Sequence, residues 1–205
     1  MNNTPYNIFK VLKFDRKETI HSAMIAAIAS HDAKSRIAFF NMLKKKAFEN
    51  EINLLLDSID FDSNKDGQWI NTEVVLDKTD KEDTWGRADI WVGTNKKDTK
   101  KYRLIIENKI DAEFQYRQIR GYYRYLIDGS RVFAGLFVLC PEYRIAETIE
   151  HIKEKYNKES VDEDTKCAII TYEQDIKNWL EEVKKSASGD FLKVVDDYLD
   201  IVESL

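Results

Sequence analysis

The sequence predicts an α/β (α+β) fold in which a mixed central β-sheet is flanked by helices. Helical patterns lie at both ends of the 205-residue chain, and strand patterns lie between them. In the middle, an antiparallel hairpin is followed by a strand–helix–strand crossover, which requires both antiparallel and parallel pairs in one sheet. Hydrophobic residues make up 43% of the chain and only seven residues are glycine, so the chain can fold around a core. We expect one domain over residues 1–205.

The composition excludes some functions. No apolar run is long enough to cross a bilayer, and the first residues lack the basic and hydrophobic segments of a signal peptide, so we expect a cytoplasmic protein without a membrane partner. Cys140 and Cys167 have no His or Cys neighbour at metal spacing, which predicts buried reduced thiols. The net charge of −5 argues against coating nucleic acid through bulk charge, but it allows a locally basic groove.

The N-terminal residues 15–50 are predicted to form helices that pack on the core. The first helix follows Asp15-Arg16-Lys17-Glu18, a pattern typical of a capping box in which Asp15 caps the helix and Glu18 reaches back. A second helix is expected over residues 35–48, where apolar residues form a broad face. Residues 57–67 are polar and predict a turn.

Three strand patterns follow this turn. Residues 69–76 alternate between apolar and polar side chains, and Glu73 is a polar member of that alternation. Residues 86–92 and 103–106 read as two further strands. The polar, lysine-rich residues 94–101 between them predict the turn of an antiparallel hairpin.

The register of this hairpin brings charged side chains together. A turn centred midway between the strands places Asp89 opposite Glu107 and Trp91 opposite Ile105, and directly opposed residues share a face about 5 Å apart. Residues two apart on a strand also share a face, so Lys109 projects beside Glu107 while the residue between them points away. Two adjacent carboxylates repel each other, which predicts either a cation between them or one raised carboxyl pKa.

A cluster of this kind suits Mg²⁺ or Mn²⁺. Mg²⁺ prefers oxygen ligands and commonly uses one or two carboxylates together with waters and substrate phosphate. A metal held by Asp89 and Glu107 can polarise a phosphoryl oxygen and activate water, and Lys109 can position or deprotonate that water. The reaction that these residues imply is phosphodiester hydrolysis.

The second half of the chain is predicted to alternate between helix and strand. The expected elements are a helix over 111–127, a strand over 132–139, a helix over 142–156, a strand over 167–171 and helices over 173–185 and 190–204. The last helix has a full apolar face, which favours packing on the core and leaves a dimer interface as the alternative.

The first of these helices carries two patterns. Gln118 and Tyr122 are four residues apart and lie one above the other, and the helix directly follows the charged strand end, so Gln118 can approach that site. Arg117, Arg120 and Arg124 form a helical stripe that suits a phosphate backbone, because the arginine fork pairs with phosphate oxygens. Without the neighbouring acids, the same stripe would be an ordinary solvated face.

Together these motifs resemble a known family. Asp89 followed by Glu107-Asn108-Lys109, with each acid at a strand, resembles the catalytic signature of the PD-(D/E)xK nuclease superfamily. The likeness extends to a bacterial and phage branch with a Gln-x-x-x-Tyr helix motif, over residues 18–22, 86–90, 105–112, 115–122 and 169–180. Ala88 stands where many members have the proline of the signature, although the superfamily often lacks it.

The resemblance implies a restriction-endonuclease-like core and a metal-dependent nuclease for which DNA is the expected substrate and RNA is the alternative. It assigns the metal to Asp89 and Glu107, the nucleophilic water to Lys109 and an assisting role to Gln118. Whether the enzyme is an endonuclease or an exonuclease is left open. A homodimer or a partner from a defence system also stays open.

The resemblance further implies accessory roles for Glu18, Glu73 and Tyr122. Helix capping is an equal alternative for Glu18, and an ordinary outward-facing position on the strand is the alternative for Glu73. The acidic net charge also motivates a second hypothesis, a nuclease-fold protein without turnover that serves as a binding or assembly module, for example in phage defence. A third hypothesis, a structural ion pair of Glu107 with Lys109, leaves the other motif residues unexplained.

Overall fold

Five strands form one mixed sheet at the centre of the chain. The computed structural model describes residue 7 and residues 16–61, 69–77, 84–93, 102–115, 118–127, 132–157 and 167–205. The strands β1 (Ile70–Asp77), β2 (Thr84–Val92), β3 (Tyr102–Asn108), β4 (Val132–Cys140) and β5 (Cys167–Thr171) lie side by side in sequence order. The first three pair antiparallel and the last three pair parallel. The predicted α/β class with a mixed sheet is therefore confirmed.

Seven α-helices accompany the sheet within the described ranges. They are α1 (Glu18–His31), α2 (Ala33–Lys46), α3 (Glu49–Ser58), α4 (Gln118–Ile127), α5 (Ile145–Asn157), α6 (Lys177–Lys184) and α7 (Gly189–Val202). A short 3₁₀ turn, Glu142–Arg144, precedes α5, and a π-helical turn, Tyr172–Ile176, precedes α6. In the part of the chain that the structure describes, no helix is both long and apolar enough to span a membrane.

The two faces of the sheet pack into separate apolar clusters. The larger cluster lies with α1, α2, α3, α6 and α7 and includes Ile106, Trp179 and Tyr198. The smaller cluster lies with α4 and includes Ile105 and Tyr122. Adjacent residues of β3 thus face opposite clusters, because side chains alternate across a strand. Burial on both faces explains why β3 is a continuous apolar run rather than an alternating one.

The start of α1 differs from the predicted capping box. The N-cap residue is Lys17, its side chain makes no capping hydrogen bond, and the helix begins at Glu18 itself. The carboxylate of Glu18 accepts hydrogen bonds from the backbone of residues 110–112 instead of from its own helix. The capping prediction is therefore wrong for Glu18, and Asp15 lies outside the described residues. Glu18 binds this distant backbone rather than its own helix because the N–H groups of residues 110–112 are free to donate.

A third N-terminal helix, α3, was not expected from the sequence. Phe48, at its N-cap, has a left-handed backbone with φ of 59°, a conformation that residues other than glycine rarely adopt. Its ring packs edge-on against Phe137, with the ring centroids 5.4 Å apart, and a Cβ atom at Gly135 would lie 3.0 Å from that ring. Packing of the Phe48 ring thus selects the left-handed backbone at the start of α3. The predicted turn over 57–67 is wrong at its start, because α3 continues to Ser58.

The helix after β3 begins later than predicted. Residues 111–115 are irregular and α4 begins at Gln118, so the prediction of a helix from residue 111 is wrong. Backbone N–H and C=O groups of residues 110–112 bond to side chains from distant elements, which replace the hydrogen bonds of a helical turn. The remaining predicted strands and helices correspond to β4, α5, β5, α6 and α7, with small shifts at their ends.

The two cysteines and the last helix also had predicted environments. Both cysteines are free thiols, as predicted, but only Cys140 is buried, whereas Cys167 is half-buried. The last helix, α7, contributes Val195 and Tyr198 to the larger apolar cluster. The predicted hairpin turn over 94–101 lies outside the described residues.

Candidate active site

The predicted site lies where β2 and β3 stop pairing. The predicted pairing of Trp91 with Ile105 is confirmed, and the ladder ends just before Asp89 and Glu107. Continued by one residue, this register aligns Asp89 with Glu107 as predicted, but the two acids lie outside the paired part of the strands. Asp89 Oδ2 instead accepts a hydrogen bond of 2.7 Å from the backbone N–H of Asn108, the last residue of β3. That bond fixes the Asp89 carboxylate beside the end of β3.

Glu107 and Lys109 form a buried ion pair at this strand end. Lys109 Nζ lies 2.8 Å from Glu107 Oε1, and the two side chains are 7% and 1% exposed. The predicted common face of these residues is thus confirmed. The ammonium also lies 5.6 Å from the centroid of the Phe114 ring, so an aromatic face covers it. Both charged groups are largely removed from water.

The helix α4 delivers Gln118 to the same carboxylate. Gln118 Nε2 donates hydrogen bonds to Glu107 Oε1 at 2.6 Å and to the Tyr122 hydroxyl at 2.7 Å. The Tyr122 hydroxyl donates in turn to the backbone carbonyl of Arg87 at 2.7 Å. Gln118 Oε1 accepts from the N–H of Gln115 at 3.2 Å. The amide is held from both ends, so the predicted approach of Gln118 to the strand end is confirmed.

Burial and like charge raise the pKa of both acids, Asp89 and Glu107. The pKa of Asp89 is raised to about 7, chiefly by burial and also by the neighbouring Glu107 charge, while the hydrogen bond from the Asn108 N–H opposes both effects. Burial also raises the pKa of Glu107, against the lowering effect of Lys109. Among the described residues, Glu107 Oε2 is buried and has no hydrogen-bond partner. The negative charge at this strand end is thus only partly compensated.

Glu73 lies on β1 with an unusual backbone. Its φ of 58° is left-handed, although it stands within a strand, and such a residue costs on the order of 1–3 kcal/mol. Glu73 Oε2 forms an ion pair of 2.9 Å with Arg87 Nε, and its Oε1 is buried without a partner in the described part of the chain. The charge of Glu73 also contributes to the raised pKa of Asp89. The structure thus brings Glu73 into the electrostatic surroundings of the acids.

Glu18 approaches the site from α1. Its Oε1 accepts hydrogen bonds from the backbone N–H groups of Ile110, Asp111 and Ala112 at 2.7, 3.2 and 3.1 Å. Its charge contributes to the raised pKa of Glu107, which places the two carboxylates in electrostatic contact. The accessory role implied by the resemblance remains a prediction.

The arginine stripe of α4 is only partly described. Arg120 and Arg124 belong to the helix, but their side chains, like the whole of Arg117, lie outside the described part of the structure. Phosphate binding by these three residues therefore remains a prediction.

Asn108 is a site residue whose function the sequence did not indicate. Its Nδ2 donates to the carbonyl of Glu18 at 2.9 Å and to Ser22 Oγ at 3.2 Å, and its Oδ1 accepts from the Tyr172 hydroxyl at 2.7 Å. The alternation of β3 correctly predicts that Asn108 points away from Glu107. Its partners come from α1 and from the π-helical turn, and no local sequence pattern reveals them.

Arg144 was also missed. Its Nη1 donates to the carbonyls of Ile110 and Ala112 at 3.3 and 2.8 Å, from the 3₁₀ turn that follows β4. Arg144 as a whole is 6% exposed. An arginine that is buried needs partners, but the sequence alone shows neither the burial nor the carbonyls.

The donor set was compared with what a divalent cation requires. Among the described residues, no group of three or more His, Cys, Asp or Glu side chains is arranged to hold a metal ion. Asp89 and Glu107 nevertheless fit Mg²⁺, which commonly uses only one or two carboxylates. Glu107 Oε2, which has no partner in the described part of the chain, and the raised pKa of Asp89 both fit a pair of acids that could accept a cation as a shared counter-charge.

Comparison with known proteins gives one match. A family model described as the PD-(D/E)XK nuclease superfamily matches residues 6–198. No curated protein and no solved structure matches the chain significantly. The matched span contains all of the site residues above, from Glu18 to Tyr172.

Proposed function

Because the chain belongs to the PD-(D/E)XK nuclease superfamily, we propose that it is a metal-dependent nuclease that hydrolyses phosphodiester bonds of DNA. Membership supports a nuclease-type function and nucleic acid as a partner, and members of the superfamily generally use divalent metals. The choice of Mg²⁺ or Mn²⁺, the preference for DNA over RNA and the roles of individual residues belong to the proposal. The same holds for the single domain over residues 1–205.

The arrangement around Glu107 carries the proposal. Its Oε1 is held by Lys109 at 2.8 Å and by Gln118 at 2.6 Å, while its Oε2 is buried without a partner in the described chain. A carboxylate with one oxygen fixed and the other unpaired is oriented for a further ligand. Asp89 lies beside it with a pKa of about 7, so a cation that bridges both acids would relieve their repulsion.

The residues of the site divide the work of hydrolysis between them. Asp89 and Glu107 would hold a divalent cation, which when bound neutralises charge on the phosphate and makes a water more acidic. Lys109 would hold the attacking water and offset the negative charge that develops on the phosphate. Gln118 would keep the Glu107 carboxylate in one orientation. Phe114 limits the access of bulk water to the ammonium.

The partners follow from the same proposal. Arg120 and Arg124 belong to α4, the helix that begins at Gln118, and together with Arg117 they would bind the phosphate backbone of the substrate. A chain with one such site cuts one strand, so double-strand cleavage would require two chains, which favours a homodimer for that substrate. A cytoplasmic location and a role in phage defence stay predictions.

A cleavage assay tests the proposed function. Plasmid, linear duplex, single-stranded DNA and RNA are incubated with the protein in Mg²⁺, in Mn²⁺ or in EDTA. We expect metal-dependent cleavage of DNA that is lost in Glu107→Gln and retained in Glu150→Gln, a change of the same type at an exposed position of α5. Cleavage that survives in EDTA or in Glu107→Gln would contradict the site assignment.

A binding measurement separates the enzyme from the inactive binding module. Calorimetry with Mg²⁺ and Mn²⁺ on the wild type, Asp89→Asn and Glu150→Gln reports metal binding without turnover. The enzyme should bind metal in the wild type and in Glu150→Gln but not in Asp89→Asn. The absence of site-dependent binding, together with the absence of cleavage, would favour the module.

A further inference from the structure

Residues 110–115 form an irregular segment between two parts of the site. Lys109 immediately precedes this segment and Gln118, the first residue of α4, follows it closely. Both side chains bond to Glu107 Oε1. The position of the segment therefore helps to set the position of both groups, together with the hydrogen bond of 2.8 Å from the Lys109 N–H to the Leu139 carbonyl. Over residues 110–112 the segment has neither a strand ladder nor helical hydrogen bonds of its own.

Glu18 satisfies the N–H groups of this segment. A single carboxylate oxygen, Oε1, accepts from three consecutive residues, Ile110, Asp111 and Ala112, at 2.7, 3.2 and 3.1 Å. Hydrogen bonds to a charged acceptor are stronger than neutral ones. Glu18 thereby acts on the segment as a cap acts on the start of a helix, but from a residue more than ninety positions earlier.

Arg144 satisfies the carbonyl groups of the same segment. Its Nη1 donates to Ile110 O at 3.3 Å and to Ala112 O at 2.8 Å. The guanidinium is in turn oriented by Glu147, to whose two carboxylate oxygens Nε and Nη2 donate at 3.0 and 2.8 Å. The segment thus lies between a fixed negative group on its N–H side and a fixed positive group on its C=O side.

We propose that Glu18 and Arg144 are positioning residues that clamp residues 110–112 and thereby hold Lys109 and Gln118 on Glu107; this inference rests on the proposed nuclease function. Glu18 in this role acts through the backbone rather than as a ligand of the metal. An alternative in which Glu18 binds the cation directly makes different predictions for its amide variant, because glutamine keeps the acceptor oxygen but loses the charge.

Hydrogen exchange tests the clamp without any reference to activity. In Glu18→Ala, the amides of Ile110, Asp111 and Ala112 should exchange about ten- to a hundredfold faster than in the wild type, because they lose a charged acceptor. In Glu18→Gln, their exchange should stay within about tenfold of the wild type, since Oε1 is still an acceptor. Glu51→Ala, a change at an acid of α3, is the control. Unchanged exchange in Glu18→Ala would overturn the proposal.

Metal affinity and kinetics then distinguish positioning from ligation. Glu18→Ala and Glu18→Gln should bind Mg²⁺ within about tenfold of the wild-type affinity, because Glu18 acts on Glu107 only through its charge. Glu18→Ala should lose about a hundredfold in kcat with little change in KM, because a misplacement of about 1 Å costs that much, and Glu18→Gln should recover most of the loss. An equal loss of Mg²⁺ affinity of more than about a hundredfold in both variants would show a metal ligand and would contradict the clamp.

Arg144 gives an independent version of the test. Arg144→Lys keeps the charge but cannot reach two carbonyls in the fixed geometry of the arginine fork, so it should also lower kcat and leave Mg²⁺ affinity unchanged. The double variant Glu18→Ala, Arg144→Lys should lose little more kcat than the worse single variant, because both act on one segment. Additive losses in kcat would contradict a shared role. If the protein binds metal and shows the exchange effect but cleaves nothing, the proposed nuclease function is wrong and the proposed clamp still holds.

Discussion

The Tyr172 hydroxyl donates a hydrogen bond of 2.7 Å to Asn108 Oδ1, and both side chains are fully buried. Asn108 stands between the two residues of the ion pair, on the opposite face of β3, and its backbone N–H binds Asp89. Tyr172 lies in a π-helical turn, a local geometry that is frequent at functional sites. The pair therefore links the packing side of the sheet to the side that carries the acids.

Tyr172→Phe should destabilise the protein and impair the site. The ring remains, but Asn108 Oδ1 is left buried without its donor, which costs about 1–3 kcal/mol in the free energy of unfolding. Urea unfolding measures the loss, and Mg²⁺-dependent cleavage should fall with it. In an Asn108→Ala background the same change should cost much less. An equal loss in the free energy of unfolding in both backgrounds would show that Tyr172 does not act through Asn108.

The pKa of Asp89 predicts how stability depends on pH without metal. The ordinary pKa of 3.8 applies to the unfolded chain and a pKa of about 7 to the folded one, so the folded state binds more protons between these values. Raising the pH from 5 to 8 should therefore lower the free energy of unfolding by about 3 kcal/mol, because the folded carboxyl loses its proton about two pH units above the start of this range and each unit is worth about 1.4 kcal/mol. Urea unfolding in EDTA measures this slope.

Asp89→Asn is the variant that isolates this effect. It should be less sensitive to pH than the wild type between pH 5 and 8, and more stable than the wild type at pH 8 in EDTA. Saturating Mg²⁺ should stabilise the wild type at pH 8 more than at pH 6, because protons compete for the same carboxylate. Parallel pH curves for the two proteins would show that Asp89 titrates as an ordinary exposed acid.

Removing Lys109 should expose the cost of the buried Glu107 charge. Lys109→Met breaks a buried ion pair by taking away one partner, which costs about 3–5 kcal/mol. The loss should be largest at pH 8 and smaller at pH 5, because the pKa of Glu107 is already raised and protonation removes its charge. Chemical unfolding at both pH values measures the difference.

Two further variants serve as controls for the loss of stability in Lys109→Met. The double variant Lys109→Met, Glu107→Gln should be more stable than Lys109→Met alone at pH 8, since no uncompensated charge remains. Lys185→Met, which breaks an exposed pair with Glu182, should change stability little. All variants without Lys109 should fail to cleave. Full activity in Lys109→Met would remove Lys109 from the mechanism.

Local periodicity was enough to predict the centre of the site. Counting residues through the hairpin gave the pairing of Trp91 with Ile105, and the two-residue period of a strand gave the ion pair of Glu107 with Lys109. The helical spacing likewise predicted that Gln118 and Tyr122 share one face of the helix, where the structure shows a hydrogen bond between them. These features depend on backbone geometry alone, and they carry the resemblance that the family match confirms.

What the sequence did not predict depends on contacts between distant residues. Capping of its own helix was one of two expectations for Glu18, because a nearby partner is the simplest one, yet its carboxylate binds a backbone more than ninety residues away. A helix was expected from residue 111 because no local signal opposes it, yet Glu18 and Arg144 take up the backbone groups that a first turn would use. The left-handed Phe48 likewise depends on the ring of Phe137.

The separation along the chain has a consequence for the order in which the site assembles during synthesis. Asp89 meets the backbone of Asn108 across 19 residues of a local hairpin, which closes early because short loops lose little entropy. Asn108 meets Glu18 across 90 residues and Tyr172 across 64 residues, and β5 must have emerged before the second contact exists. A nascent chain can therefore form the acidic hairpin well before its strand end is anchored from both sides.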